Sequence, residues 1–318
     1  MINHPLRKRY DLDSAMTAIW ATYKEMFLPL FSISFISSLL INYISSGIDL
    51  SALQTMEDPT LVFEALKPLT GKYLIIAFIS LVFSLVMQYF IIMKPVDTDG
   101  NLADWISRVL VRYLLPMIVV YLVLFIFAMV AVMFGLVLII VGAFFAIFYV
   151  AIFFTLAAPV MMVENRSIGE TITRVFSMGH RKFGINLGWT TLFLLLILIV
   201  SVILSTIIML PFAGGFIKTI LHPENAADML EFSRKPAYIL FASIANAITS
   251  PLYPIFALVL YFNAASYDGE GTGRRGTGSD NGSGITVDDL YSNNNSDDQD
   301  RTRSNAEEWK PTVDDLTP

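Results

Sequence analysis

Charged residues are absent from five long stretches of the chain, Met26–Ile48, Tyr73–Met93, Tyr113–Val163, Phe183–Ile217 and Pro236–Tyr267. A helix rises about 1.5 Å per residue and the hydrocarbon core of a bilayer is about 30 Å thick, so each stretch is long enough to cross a membrane. The third, at 51 residues, is long enough to cross twice. The pattern predicts six spans, at roughly 27–48, 72–93, 112–133, 137–161, 185–210 and 237–262. Backbone groups in hydrocarbon have no water to bond, so these spans are expected to be helices with short connections. Gly135 is the expected turn between spans 3 and 4, with Gly142 or a longer re-entrant excursion as the alternatives.

A second periodicity lies between the spans. Three segments read alike: Asp11-Leu-Asp-Ser-Ala-Met-Thr-Ala-Ile-Trp20, Asn101-Leu-Ala-Asp-Trp-Ile-Ser-Arg-Val-Leu110 and Ser167-Ile-Gly-Glu-Thr-Ile-Thr-Arg-Val-Phe176. Asp11, Asn101 and Ser167 are good helix N-caps, and three residues on stand Ser14, Asp104 and Glu170, of which the two acids can close a capping box. Apolar residues follow at helical spacing: Leu12, Met16, Ile19 and Trp20; Leu102, Ile106, Val109 and Leu110; Ile168, Ile172, Val175 and Phe176. Such helices are suited to the membrane interface. The fold class expected is therefore an all-α polytopic membrane protein of six transmembrane helices in three hairpins, each preceded by an amphipathic interfacial helix. The units run over about 11–93, 101–163 and 167–265, within a membrane domain of residues 1–265. A coincidental likeness of short amphipathic helices is the plainer alternative.

Composition changes the picture in two places. The chain is 55% hydrophobic and 15% charged, and the apolar residues come in blocks too long for ordinary core helices. Its formal charge of −6 belongs to the end of the chain: residues 266–318 carry 12 acids and 5 Lys or Arg, against 15 and 16 in residues 1–265. That last segment, rich in Gly, Ser, Asn, Asp and Thr, lacks apolar periodicity and is expected to be a disordered acidic tail. Within it Thr-Val-Asp-Asp-Leu occurs twice, giving Val287, Asp288, Asp289 and Leu290, then Val313, Asp314, Asp315 and Leu316. Two copies suit a bivalent motif that binds a cytosolic or membrane protein, apolar residues in pockets and acids on a basic rim. The alternative is a solubilising tail with a duplicated fragment.

Basic residues set the orientation. Arg7, Lys8, Arg9 and Lys24 precede span 1; Lys94, Arg108 and Arg112 lie between spans 2 and 3; Arg166, Arg174, Arg181 and Lys182 lie between spans 4 and 5. The other side receives Lys67 and Lys72, then Lys218, Arg234 and Lys235. The excess predicts both termini in the cytoplasm. The cluster Arg7–Arg9 precedes an apolar run without a small-residue cleavage pattern, so span 1 is expected to stay uncleaved.

Candidate chemistry is sparse. The chain has no cysteine, which excludes disulfides and thiolate catalysis, and its three histidines, His4, His180 and His222, are far apart in sequence. No catalytic residue, metal site, cofactor or nucleic-acid partner is expected. Glu164, Glu170 and Arg174 form the nearest charged constellation; Glu170 and Arg174, four residues apart, can pair on one helix face. Arg166, Arg174, Arg181 and Lys182 are the candidates for binding the headgroups of membrane lipids. Inside the spans the polar residues are uncharged, among them Asn42, Gln88, Asn186, Asn246 and Asn263, which argues against proton coupling and for packing between helices. Pro251 and Pro254 can break span 6 and offer carbonyls to a ligand, or make a kink whose groups are satisfied.

Ala158-Pro-Val-Met-Met-Val-Glu164, Ile168-Gly-Glu-Thr-Ile-Thr-Arg-Val-Phe176 and His180-Arg-Lys-Phe183 together carry a family resemblance, joined by Pro251 through Tyr261 and Asp268. Over about residues 10–268 the chain resembles the bacterial and archaeal six-span proteins related to the membrane domain of glycerophosphodiester phosphodiesterase. The basic stretch usual after the last span in that family is largely missing here. The resemblance implies a six-span fold in a bacterial or archaeal cytoplasmic membrane and no activity, because the catalytic barrel of the phosphodiesterase members is a separate domain for which this chain has no room. The expected function is a non-enzymatic membrane protein that organises or recruits protein partners or lipids at the cytoplasmic face. The alternative is a transporter or channel-like protein with a cavity between the hairpins, and an intramembrane enzyme comes third.

Overall fold

The apolar blocks fold as helices throughout the described part of the computed structural model, which covers residues 4–48, 59–97, 100–137, 139–210 and 234–267. In chain order these are α1 Leu12–Glu25, α2 Phe27–Ser46, α3 Pro59–Met93, α4 Leu102–Arg108, a π-helical turn Val109–Tyr113, α5 Leu114–Val137, α6 Ile139–Glu164, α7 Ile168–Arg181, α8 Phe183–Met209, α9 Pro236–Thr249 and α10 Leu252–Ser266. Among the described residues six stretches are long and apolar enough to cross a membrane: Phe27–Ser46, Leu66–Met93, Leu102–Val137, Gly142–Glu164, Phe183–Ile208 and Pro236–Ser266. Large apolar side chains such as Leu122, Phe125, Ile126, Phe134, Leu198 and Ile199 stand exposed around them. Contiguous apolar surface of this kind needs lipid as its solvent, and the protein is an all-helical, multi-pass membrane protein. Contacts divide the chain into a compact unit, Met1–Asp268, and a second unit, Gly269–Pro318, that lies outside the described residues.

The core sits at one end of the bundle. There α10 is buried at every position from Pro254 to Ala264, and it packs on α6, α3 and α1. The second half of α3, from Leu85 to Ile92, and the second half of α6, from Leu156 to Val163, are buried with it. Met117, Val120 and Leu124 join from the first half of α5. The residues preceding α1 close this end as a strap: His4, Leu6 and Tyr10 are buried, and the Tyr10 amide donates to Asn263 Oδ1 at 3.1 Å. Away from the core α2 packs on α3, where Ser34 Oγ donates to Met87 Sδ at 3.0 Å, and on α9, whose small residues Ser243 and Ala247 are buried. Asn42 Nδ2 donates to Ser243 Oγ across that contact at 3.0 Å.

Two expectations are corrected here. Gly135 is not the turn between α5 and α6: it lies within α5, which continues to Val137. Its lack of a side chain serves contact instead, because a Cβ there would stand 2.6 Å from the Gly142 carbonyl oxygen. The segment Leu102–Leu110 does not stand apart as the other two do. α1 meets α2 at Met26 and α7 meets α8 at Lys182, both in non-helical conformation, but α4 runs into α5 through the π turn. Its buried residues, Trp105, Val109, Tyr113 and Met117, are spaced by four, a register that drifts around an α-helix and that a wider turn keeps on one face. The apolar residues of the three segments divide between the outside and the bundle. Leu12, Trp20, Leu102 and Leu110 are exposed, whereas Ala15, Ile19, Trp105, Val109, Val175 and Met178 are buried.

Span 6 breaks at Pro251, dividing into α9 and α10 at Ser250 and Pro251, and the Ile248 carbonyl accepts a hydrogen bond from the Tyr23 hydroxyl at 2.9 Å.

Gly135→Ala is expected to lower stability in detergent by about 1–3 kcal/mol, because the new methyl meets backbone that cannot swing aside. Gly169→Ala, with nothing within 4 Å of its Cβ, serves as the control and should melt at or above the wild-type temperature. Equal melting of Gly135→Ala and wild type would remove the close-approach explanation.

Candidate functional site

The corner between α6 and α7 gathers most of the described polar chemistry. A carboxylate at the last residue of a helix faces the negative end of its dipole, so Glu164 requires donors there. It has three: Arg166 through Nε to Oε2, Arg174 through Nε to Oε1 at 3.1 Å, and the Tyr261 hydroxyl to Oε1 at 3.1 Å. Only 5% of the Glu164 side chain is exposed. Asn165 follows with φ of 52°, a left-handed conformation that Asn adopts more readily than most residues and that reverses the chain into α7. Its Oδ1 accepts from Arg112 Nη2 at 2.8 Å, which ties the start of α5 to the same corner. Two carboxylates, Glu164 and Glu170, among three guanidinium groups leave the corner positive by one charge.

The caps fall where the sequence places them, with one exception. Asp11 and Ser14 form a reciprocal capping box, and hydrogen bonds from Ser14 hold the Asp11 carboxyl below the usual carboxylate range. Glu170 accepts from the Ser167 amide at 3.0 Å and from its hydroxyl at 2.9 Å, which likewise lowers its pKa. Asn101 caps α4 through the Ala103 amide at 3.1 Å, two residues on, and Asp104 takes no part in that bond. The expected Glu170–Arg174 pair is replaced: Glu170 serves the cap, and Arg174 turns to Glu164.

The four lipid-headgroup candidates separate into two pairs. Arg166 and Arg174 share Glu164, whereas Arg181 and Lys182 stand at the far end of α7, a helix of 14 residues and so about 20 Å long. Lys182 lies over the Tyr267 ring at 5.2 Å, and Arg9 of the strap lies over the same ring at 4.9 Å. Arg112, Asn165 and Tyr261 are the members that local sequence reasoning missed. Tyr261 is 97 residues from its partner, and no spacing rule connects them.

The two described histidines occupy different places. His4 is 4% exposed; its Nδ1 accepts from the Leu6 amide at 3.1 Å, so Nε2 carries the proton and donates to the Ile91 carbonyl at 3.2 Å. Burial lowers its pKa. His180 is exposed: Nδ1 donates to the Phe176 carbonyl at 2.8 Å, and Nε2 shares a hydrogen bond with the Tyr149 hydroxyl at 2.9 Å. His222 and the two Thr-Val-Asp-Asp-Leu copies lie outside the described residues. Among the described residues no group of three His, Cys, Asp or Glu side chains could hold a metal ion.

A second feature lies within the spans. A cavity of about 260 Å³ is lined from α3 by Ser84 and Gln88, from α5 by Tyr121, from α6 by Phe154 and Thr155, and by residues of α8 and α10. Gln88 is 3% exposed and its Nε2 lacks a hydrogen-bond partner.

No family model, curated protein or solved structure matches the chain.

Glu164→Ala removes the acceptor that Arg166, Arg174 and Tyr261 share and is expected to cost about 2–3 kcal/mol, and Tyr261→Phe about 1 kcal/mol, in denaturant unfolding in micelles. Similar unfolding curves for Glu164→Ala and Tyr261→Phe would contradict the ranking. His4 is neutral in the folded state and its pKa lies below the unfolded value, so its contribution is complete above the unfolded pKa of about 6.5 and declines as pH falls through that value. His4→Gln, which cannot titrate, should flatten the decline between pH 7 and 5; an unaltered pH profile would show that other groups cause it.

Proposed function

We propose that this protein is a non-enzymatic organiser in a bacterial or archaeal cytoplasmic membrane, related in fold to the six-span proteins that its sequence resembles. Three hairpins carry it through the bilayer, the first and third preceded by the separate amphipathic helices α1 and α7 and the second continuous with α4, with both termini in the cytoplasm. The single observation that supports the reading best is the gathering of α6, α7, α10 and the start of α5 on Glu164 and Asn165, with Arg112, Arg166 and Arg174 around them. The ends of three spans and the interfacial helix α7 meet there, and a positive corner at the end of a bundle belongs at the anionic headgroup layer. Arg9 and Lys182 over Tyr267 extend the positive surface at the same end of the chain's helices. Trp20, exposed and stacked on Tyr23 at 5.4 Å, has the amphipathic character of an interfacial anchor. Glu164 and Glu170 are spent on pairing and capping, which favours a structural over a catalytic role for them.

The acidic tail, with its two Thr-Val-Asp-Asp-Leu copies, is the part of this reading that recruits a protein, while the basic end holds lipid. A transporter or channel-like protein is the second reading, favoured by the cavity at Gln88. The third, an intramembrane enzyme, has no comparable observation behind it.

Native mass spectrometry of protein released from bilayers of mixed phosphatidylglycerol and phosphatidylcholine tests the leading reading. Near-surface basic residues contribute about 1 kcal/mol each, so Arg112→Gln with Arg166→Gln should cut the preference for phosphatidylglycerol by roughly thirtyfold at low salt. Retained preference in the double variant, together with an unchanged set of partners when the chain is ended at residue 267, would defeat it. Specific flux of a solute through liposomes holding the purified protein would favour transport.

A further inference from the structure

We infer that the cavity between α3, α5, α6, α8 and α10 is a binding site for a lipophilic molecule with a carbonyl oxygen, received from the bilayer through its side wall. The inference goes beyond the organising role and does not need it. Three observations carry it.

The first is the unfilled hydrogen-bonding capacity of Gln88. Its amide is buried among apolar helices, and Nε2 has two hydrogens and no acceptor in the protein. A polar group left in this state inside hydrocarbon is costly, and polar side chains within spans that lack a partner mark functional positions more often than those engaged in packing. The other buried amides, Asn186 and Asn263, leave one atom each without a partner, Oδ1 and Nδ2, but bond through the other. Asn186 Nδ2 donates to the Met178 carbonyl at 3.0 Å, and Asn263 Oδ1 accepts from Tyr10, so each is tied to a structural neighbour. Gln88 is the one of the three that lines the cavity.

The second is the nature of the walls. On one side Tyr121 stacks on Phe154, with ring centroids 5.6 Å apart and planes within 11°. On the other Phe193 stacks on Phe256 at 3.9 Å and meets Tyr253 edge-on at 5.8 Å. The rings offer apolar contact, and small residues, Ala151, Ala158 and Ala257, leave the space between them. An apolar lining with a few polar groups is the usual make-up of a small-molecule site. A hydrophilic solute would gain one amide and lose its hydration.

The third is access. The lining residues Ser84 and Tyr253 are exposed, and they lie within spans, so the opening faces lipid and not water. A ligand that enters there comes from the bilayer. The acceptors available from that source are the ester carbonyls of acyl lipids and the ring carbonyls of quinones, and either would take the Gln88 amide hydrogens.

The test uses the full chain in detergent, stripped of lipid and then offered either diacylglycerol, an ester-bearing lipid without a charged headgroup, or a decyl-substituted benzoquinone. One ligand should bind per chain, measured by native mass spectrometry: the lipid if the acceptor is an ester, the quinone if it is a ring carbonyl. Gln88→Leu removes the donor and should weaken binding by up to about tenfold, the worth of one hydrogen bond. Ala257→Phe fills the space and should abolish it. Because either variant can perturb folding, the wild type is also crosslinked with a diazirine-bearing analogue of whichever probe binds, and the label is expected on peptides holding Ser84 to Gln88 and Tyr253 to Ala257. Failure of both probes to bind, or binding with label elsewhere and full tolerance of Ala257→Phe, would overturn the inference. Neither result touches the headgroup preference set by Arg112 and Arg166, so the two readings fail separately.

Discussion

A hydrocarbon solvent is the constraint from which the rest of this structure follows. It allows Phe125, Ile126, Leu198 and Ile199 to stand outward, and it obliges every backbone amide in the spans to find its partner within a helix. Between apolar helices in apolar solvent, burial alone supplies little association, so contact depends on shape and on a few polar groups. The packing of α2 on α9 with its small residues, the backbone approach of Gly135 to Gly142, and the pairing of Asn42 with Ser243 are three forms of that dependence.

At the end of the bundle the balance changes, because charge is tolerated there. Glu164 binds two arginines of its own connection and a tyrosine of the last helix, and Arg112 reaches Asn165 from a third direction. Long-range polar contacts, more than loop length, therefore fix how the ends of α5, α6, α7 and α10 lie together. The strap of residues 4–10 adds a second set, from His4 to Ile91 and from Tyr10 to Asn263. Both sets surround α10, the most thoroughly buried helix, which explains why a span so rich in aromatic and aliphatic residues is nonetheless interior.

Local pattern made the spans readable. α2 and α8 begin within about two residues of where the uncharged stretches place them, and the caps at Asp11, Asn101 and Ser167 were legible because capping is a rule of short spacing. Gly135 misled because glycine serves both turns and close helix contacts, and sequence does not say which. The continuity of α4 with α5 was hidden for a related reason: a π turn keeps Trp105, Val109, Tyr113 and Met117 on one face, a register that a search for the α-helical period does not find. Arg174 was assigned to Glu170 by the four-residue rule, but the cap claimed Glu170 and the buried Glu164 had the stronger need. The Tyr261 bond and the burial of His4 depend on helices meeting across the bundle, which no local signal encodes.

Lipid around the spans, with the basic end at one membrane face, is tested most directly by single cysteines in a chain that has none of its own. The account predicts that Lys8→Cys, Val96→Cys and Ser177→Cys react with an impermeant maleimide from one side of the membrane only, the same side for all three. Phe125→Cys and Leu198→Cys should stay unlabelled until the bilayer is dissolved. Reaction of the first three from opposite sides, or ready labelling of the last two in intact membranes, would contradict it.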